Sequence, residues 1–325
     1  MRPLFGFSKV ALALCAACAC IGSGVQAQNF PSKSIRFLVG ASPGGGADFV
    51  ARALSPKLTE SLGQPVVVEN RAGANGAVAS ELLARAAPDG YTIKVNTTGD
   101  TINPSLMKLS FDFPKDFAFI ALVAESQNLL VAHPSFPATG VKALIAFSSK
   151  RPGAITYGSQ GIGSSGHLSG ELFQFMTGVK WVHVPYKGGA PALIDLLGGQ
   201  ISLSFGNIPT VIHHVRGGKL RALAMTGAKR SVAAPDIPTV AESGVPGFEV
   251  SNWFGVSAPA KTPPEIVARL HAEIARALKS PDVRAGLINA GADPSDITTE
   301  QYSAFVQSEF AKWSKVIKAA GIKGE

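Results

Sequence analysis

Two α/β units followed by a helical tail are what this 325-residue chain predicts, and three observations predict it. Short apolar runs bounded by Gly, Pro and Asn alternate with segments whose apolar residues recur every three or four positions. The first three runs give a strand–helix–strand–helix–strand order, which implies a parallel sheet with right-handed crossovers. The length suits about two domains at roughly 100–200 residues each, and 46% hydrophobic residues are enough to fill two cores.

Ile35-Arg36-Phe37-Leu38-Val39 reads as a buried strand and Ser42-Pro43-Gly44-Gly45-Gly46 as the turn after it. Asp48 stands at the expected N-cap of a helix that carries Val50, Ala53, Leu54 and Leu58 at helical spacing. Gly63-Gln64-Pro65 ends that helix, and Val66-Val67-Val68 is the next strand. Gly73-Ala74-Asn75-Gly76 opens a second helix through Leu82 and Leu83, closed by Pro88-Asp89-Gly90, and Tyr91 to Val95 makes a third strand. A second alternating set follows residue 125, with strands at 155–157, 182–184, 201–205 and 220–224. Helices fall between them, one starting near Ser164 and one between Gly189 and Leu197. Pro235 to Gly247 is connecting loop, and the tail is helical over Pro264–Leu278, Pro281–Asn289 and Thr299–Ala320. Spacing leaves open whether the tail follows serially or packs back on the first unit.

The apolar fraction excludes a disordered chain, and three cysteines exclude a disulfide scaffold. Net charge is +8 and the pI near 9.4, yet no run of five Lys/Arg occurs. The positive charge is dispersed, and nucleic acid is not an expected partner. At the N-terminus Arg2 and Lys9 precede an apolar run, Val10 to Ile21, and Val25-Gln26-Ala27 offers small residues at −3 and −1. This is the pattern of a secretory signal peptide over residues 1–27, cleaved after Ala27. The run is shorter than the roughly 20 residues a membrane-spanning helix needs. All three cysteines (Cys15, Cys18, Cys20) fall inside it, so the exported chain carries none.

Two loops carry the chemistry. Ser42 to Asp48 joins a strand to a helix, so helix-start N–H groups and the helix dipole favour an anion there, with Gly45 and Gly46 permitting close backbone approach. Ala47-Asp48 stand where a phosphate-binding P-loop needs Lys-Ser/Thr. Gly161-Ile162-Gly163-Ser164-Ser165-Gly166 matches GxGxxG, but the next strand ends Val184-Pro185-Tyr186-Lys187 with no acid for a ribose. It is read as a second anion-competent helix start, with the hydroxyls of Ser159 and Ser164 added. Catalytic signals are thin. No GxSxG elbow occurs, which leaves a serine hydrolase resting on loose serines and His167. His167 and Glu171 are spaced as a metal pair without a third ligand, and a polar helix face is the plainer reading. Trp181, Trp253 and Trp313 read as core. No metal or cofactor is expected.

Pro43-Gly44-Gly45-Gly46-Ala47-Asp48, Ala51-Arg52, Leu62-Gly63-Gln64 and Val68-Glu69-Asn70-Arg71-Ala72-Gly73-Ala74-Asn75-Gly76 together resemble the Bug receptors, periplasmic solute-binding proteins of tripartite tricarboxylate transporters. Pro88-Asp89-Gly90-Tyr91-Thr92, Tyr157-Gly158-Ser159, His183-Val184-Pro185-Tyr186-Lys187-Gly188, Arg221-Ala222-Leu223-Ala224, Asp236-Ile237-Pro238-Thr239 and Trp253-Phe254-Gly255 continue the likeness from about residue 30 to the end. The resemblance implies a two-domain periplasmic-binding-protein (Venus flytrap) fold with a ligand cleft between domains. Domain 1 would comprise 28–125 and, on return, 250–325, with domain 2 at 126–249. It implies a receptor without chemistry of its own, acting as a monomer, that passes a small organic acid to a membrane permease. An exported hydrolase of small esters is the alternative. Carried over residue by residue, Ser42, Gly45, Gly46 and Asp48 face Ser159, Gly163 and Ser164, with Thr98 and Asn207 at further cleft positions. Asp100 departs from the family pattern and would reshape the far end of an anionic ligand's site.

Overall fold

In the computed structural model, which describes residues 30–186, 189–232 and 234–322, β1 (Ile35–Val39) lies between two parallel partners, β2 (Val66–Asn70) and β3 (Thr92–Thr97). Ile35, Phe37, Leu38 and Val39 are all buried, the continuous apolar pattern of a strand covered on both faces. Helix α1 (Gly46–Leu62) buries Val50, Ala51, Leu54, Leu58 and Leu62, three or four residues apart along one stripe. It stops at Gly63, whose left-handed φ of 69° returns its N–H to Thr59. A 3₁₀ turn at Ala74–Gly76 leads into α2 (Ala77–Ala84). The signal sequence, its cysteines, the cleavage position at Ala27 and Lys187 all lie outside the described residues.

The parallel pattern ends at β3. After α3 (Thr98–Leu106) the chain enters β4 (Phe117–Ala132), a 16-residue strand that runs antiparallel to its neighbours. Sequence periodicity missed it because Phe117 to Ala124 is buried almost throughout and shows no alternation. Past α4 (Val141–Ser149), a second sheet forms from β5 (Thr156–Ser159), β6 (Val182–Pro185), β7 (Leu203–Asn207) and β8 (Arg221–Met225). Helices α5 (Ser165–Thr177), α6 (Gly189–Leu197) and α7 (Ile208–Arg216) lie between those strands. The chain returns through β9 (Ser251–Pro259), which inserts between β3 and β4. It finishes with α8 (Pro264–Lys279), α9 (Pro281–Asn289), β10 (Ala292–Pro294) and α10 (Thr299–Ala320).

β4 belongs to both sheets. Phe117 to Gln127 pair with β9, while Asn128 to Ala132 pair with β7. The strand changes sheet inside the polar stretch Glu125-Ser126-Gln127-Asn128. There the buried Asn128 amide donates to Ser165 Oγ at 3.0 Å, its N–H donates to Thr226 Oγ1 at 2.9 Å, and Thr226 in turn donates to the Val250 carbonyl at 2.8 Å. Helix α10 packs along both halves. Tyr302 and Val306 pack with Phe119 and Trp253, whereas Trp313, Val316 and Ile317 pack with Leu168, Leu172 and Phe173 of α5.

Asp100 does not face a cleft. It is the N3 residue of α3, where it closes a capping box with Thr97, and it forms a buried ion pair with Lys94 of β3 at 2.8 Å, the two side chains 1% and 2% exposed. Ser80 Oγ and the Thr97 N–H donate to the same carboxylate. A fully paired internal charge is tolerated; a stranded one is not.

The loop from β5 to α5 is braced from beneath. The Gly163 N–H donates to His167 Nδ1 at 3.1 Å, so that nitrogen is unprotonated. The His167 ring stacks on His183 with centroids 4.1 Å apart, and His183 stacks in turn on Tyr157. His183 Nε2 lies 2.7 Å from Ser159 Oγ, and the Tyr157 hydroxyl donates to Glu171 at 2.6 Å. Burial, with His183 adjacent, lowers the His167 pKa to about 3, and burial lowers that of His183 to about 4. Burial beside Glu171 pushes the Tyr157 phenol far up.

Two outcomes follow from this packing. Asp100→Ala should cost about 3–5 kcal/mol of unfolding free energy, because it strands the Lys94 ammonium; urea titration showing a loss below about 1 kcal/mol would contradict the buried pair. The two histidines are neutral when folded but titrate near 6.5 when unfolded. The unfolded state therefore takes up protons first, and stability is full above about pH 6.5 and declines toward pH 4. Glu125 and Asp293, whose pKa values burial raises, act in the opposite sense, so the comparison is made with His183→Gln. That variant should lose less stability than wild type between pH 7 and pH 5, and equal losses would contradict the linkage.

Candidate ligand-binding cleft

The two halves of the chain meet at a cavity of about 380 Å³, beside the place where β4 changes sheet. One wall is the β1–α1 loop, Gly44 to Gly46, with Phe49 and Val50 of α1 and Phe254 of β9. The other carries Asn207 and Thr210 from the start of α7, and Ser126 and Asn252 sit at the crossover between them. A smaller cavity of about 230 Å³, lined by Gln160, Gly189 and Ser204, continues into the second sheet and shares Asn207 and Thr210.

The first turn of α1 is set by its glycines. Gly44 has φ 83°, which a side chain would strain. Gly45 is the N-cap, with φ −76° and ψ 166°, and its N–H turns back to the Ser42 carbonyl at 3.2 Å. Gly46 and Ala47 open the helix, so their N–H groups have no carbonyl four residues back within it. A Cβ on Gly46 would sit 2.8 Å from Cζ of Phe254; the aromatic ring and the helix start are in close contact.

Asp48 is the third helical residue, not the N-cap the sequence suggested. Its buried carboxylate reaches back to accept the Gly44 N–H at 2.9 Å, Asn70 Nδ2 at 2.9 Å and Arg52 Nε at 2.9 Å. Arg52, above all, holds its pKa down at about 2. The negative charge nearest the helix start is thus neutralised from behind, and it stiffens the loop instead of opposing an anion in front of it.

The remaining sequence-derived positions fall in several places. Ser42 is exposed and its carbonyl closes the turn. Asn207 lines both cavities as the N-cap residue of α7, with no side-chain cap bond. Thr98 is buried behind the cleft, its hydroxyl between the Ser251 carbonyl and the Trp253 N–H. Ser159 is 0% exposed, and its hydroxyl is divided among His183 and the backbone of Gly161. Ser164 is the N-cap of α5, donating to the Gly161 carbonyl at 2.7 Å and accepting the His167 N–H at 3.3 Å. Gly163, with φ 74°, stands across from the first half: a Cβ there would be 3.2 Å from Leu106 of α3 and 3.8 Å from Asn75. The structure therefore brings Gly45, Gly46 and Asn207 to one cavity, while the Ser159–Ser164 loop abuts α3 and the 3₁₀ turn instead. Asp100, as shown above, is internal.

Phe49, Ser126, Thr210, Asn252 and Phe254 were not found from the sequence. They come from four separate elements, α1, β4, α7 and β9, and only Asn252 and Phe254 share one. The polar interruption at Glu125–Asn128 was the available sign for Ser126. Ser159 and His183 have the separation of a nucleophile and its base, but Ser159 is inaccessible and its hydroxyl is engaged by the loop it braces.

A family model described as a tripartite tricarboxylate transporter family receptor matches residues 50–322. Protein BugT of Bordetella pertussis is 38% identical over 310 residues, covering 94% of this chain and 95% of that protein. Among solved structures, that of R. palustris Rpa4515 with adipate superposes with a TM-score of 0.78 at 38% identity, covering 91% of this chain and 100% of that one. MatC from Rhodopseudomonas palustris with bound malate gives a TM-score of 0.75 at 33% identity, covering 89% and 100%. Spanning nearly the full length of these relatives and sharing their two-domain architecture, the chain belongs to the tripartite tricarboxylate transporter receptor family, the Bug-type periplasmic solute-binding proteins.

Proposed function

We propose that this protein captures a small carboxylate-bearing solute in the periplasm and delivers it to the membrane permease of a tripartite transporter. Residues 1–27 direct export and are removed after Ala27. Residues 28–125 and 250–325 form one lobe and 126–249 the other, with α10 spanning both. The observation that carries the reading is that two helix starts, α1 and α7, line one cavity, with the nearest acid already neutralised by Arg52. N–H groups at a helix start favour an anion without any ion pair. The adipate and malate held by the related structures are acids of this kind. Gly46 supplies an amide donor with Ala47; Asp48 and Ser164 fix their loops, and Gly163 carries the second loop to the first lobe. A ligand touching both walls favours the closed arrangement by its preference for it.

The test begins with protein released from the periplasm, whose N-terminus should be Gln28. A thermal-shift series over organic acids should find a stabilising ligand, since one at 100 times its Kd adds about 2.7 kcal/mol. Small-angle scattering should then show a smaller radius of gyration with that ligand, and Gly46→Val should abolish both effects while the protein stays folded. Unaltered scattering at saturation would contradict closure, binding unaffected by Gly46→Val would contradict the helix-start site, and turnover of an ester would favour the hydrolase.

A further inference from the structure

A further cavity of about 380 Å³, as large as the one in the cleft and sharing no lining residue with it, is bounded by β4, α8, α9 and the segment after β10. It lies at a seam between two apolar clusters. Leu278 belongs to the cluster around β1 and α1, while Leu122 and the half-buried Ile297 belong with Trp253 and Tyr302. Together they give the cavity an apolar floor, which a hydrocarbon chain can cover. The rim is basic. Lys279 and Arg284 line the cavity and are exposed. Ser280 brings them together, since it is the C-cap of α8 and the N-cap of α9, and the chain turns sharply there. Among the described residues neither side chain has an ion pair or hydrogen bond, whereas Arg269 and Arg276 of α8 both hold Glu273, and Lys57 holds Asp282 at 3.0 Å. His271 also lines the cavity; its Nδ1–H donates to the Ile120 carbonyl at 2.9 Å, which leaves Nε2 as its other polar atom. Asp296 is an acid in the same lining, so Lys279 and Arg284 against Asp296 leave one net positive charge.

From this combination we infer a second binding site, outside the cleft, for a small amphipathic anion: a carboxylate whose head lies on Lys279 and Arg284 and whose hydrocarbon chain lies on Leu122, Leu278 and Ile297. The inference does not depend on the receptor reading, because the two cavities are separate. A carboxylate set between an ammonium and a guanidinium gains charge-assisted hydrogen bonds, and at an exposed rim it keeps enough water to avoid the cost of a fully buried charge. Neither half of such a ligand suffices. A head alone makes an exposed ion pair, which contributes little, and a chain alone covers the floor without meeting the two cations.

Calorimetric titration with octanoate tests this, in the Gly46→Val protein, whose cleft is blocked against Phe254. One equivalent of octanoate should bind. Acetate, which is the head alone, and octanol, which is the chain alone, should each bind about tenfold more weakly or worse. Adding Lys279→Gln and Arg284→Gln together should weaken octanoate by about tenfold or more. Ala275→Phe, which fills the cavity from α8, should abolish its binding; thermal midpoints establish that each variant folds. Arg269→Gln, which removes a base of the same helix that is already paired with Glu273, should leave the affinity unchanged. If octanoate does not bind, or if binding survives the double substitution or Ala275→Phe, the site is overturned. Acetate or octanol binding as tightly as octanoate overturns the ligand class, and a loss with Arg269→Gln equal to that of the double substitution reduces the effect to general surface charge and overturns the assignment of Lys279 and Arg284. None of these outcomes bears on the cleft, which is blocked throughout.

Discussion

The molecule is organised by one strand that serves two sheets. β4 pairs with β9 along its first part and with β7 along its last five residues, and the change of partner creates the gap in which the cavity lies. Each half then has its own buried cluster, one centred on β1 and α1 and one on β5, β7 and α5. The crossover is polar: the Gln127 side chain accepts the Gly227 N–H and donates to the Lys229 carbonyl, while the Asn128 side-chain amide donates to Ser165 and its backbone N–H to Thr226. Bonds of this kind contribute about 1 kcal/mol each when made and cost more when left open. They give the joint between the lobes a defined geometry without filling it with bulk.

The second constraint is electrostatic. Beside the α1 start the acid that could repel an anion, Asp48, is paired with Arg52, and Asp100 is internal, paired with Lys94. The loop behind Gly163 rests on two histidines that burial keeps neutral. What remains facing the cavity is backbone N–H, hydroxyl, amide and hydrocarbon. On the proposed reading such a site recognises an anion by donor geometry. Arg52, on that reading, supports recognition from a distance, since it keeps the Asp48 carboxylate from competing with the ligand.

Most of the first sheet was legible because its signals are local. Buried β1, the glycine turn and the α1 stripe each follow from a few adjacent residues, and the helical tail shows clean three-to-four spacing. β4 and β9 were not legible, since a strand buried on both faces has no period and its partners are more than 70 residues away. The same limit separated the N-cap from its apparent position. Asp48 looked like a cap by residue type, but three consecutive glycines let the helix begin three residues earlier, which turned the carboxylate back onto Gly44. The Gly45–Gly46 amides and Asn207 could be placed from strand-to-helix junctions, a rule of topology. Phe49 and Phe254 could not, because only the tertiary fold brings an exposed α1 aromatic beside a strand from the returning chain. Hydroxyls in a glycine loop suit a ligand and the loop's own carbonyls equally well, and in this structure Ser159 and Ser164 both donate to the Gly161 carbonyl.

The central claim is that the carboxylate is held by the first N–H groups of α1 with no side-chain ion pair. A crystal structure of the protein with its tightest acid tests it most directly. The account predicts a carboxylate oxygen about 2.7–3.2 Å from the Gly46 or Ala47 nitrogen, with Phe49 and Phe254 against the ligand's body. A carboxylate seated instead on a basic side chain such as Lys187, away from the α1 start, would contradict it.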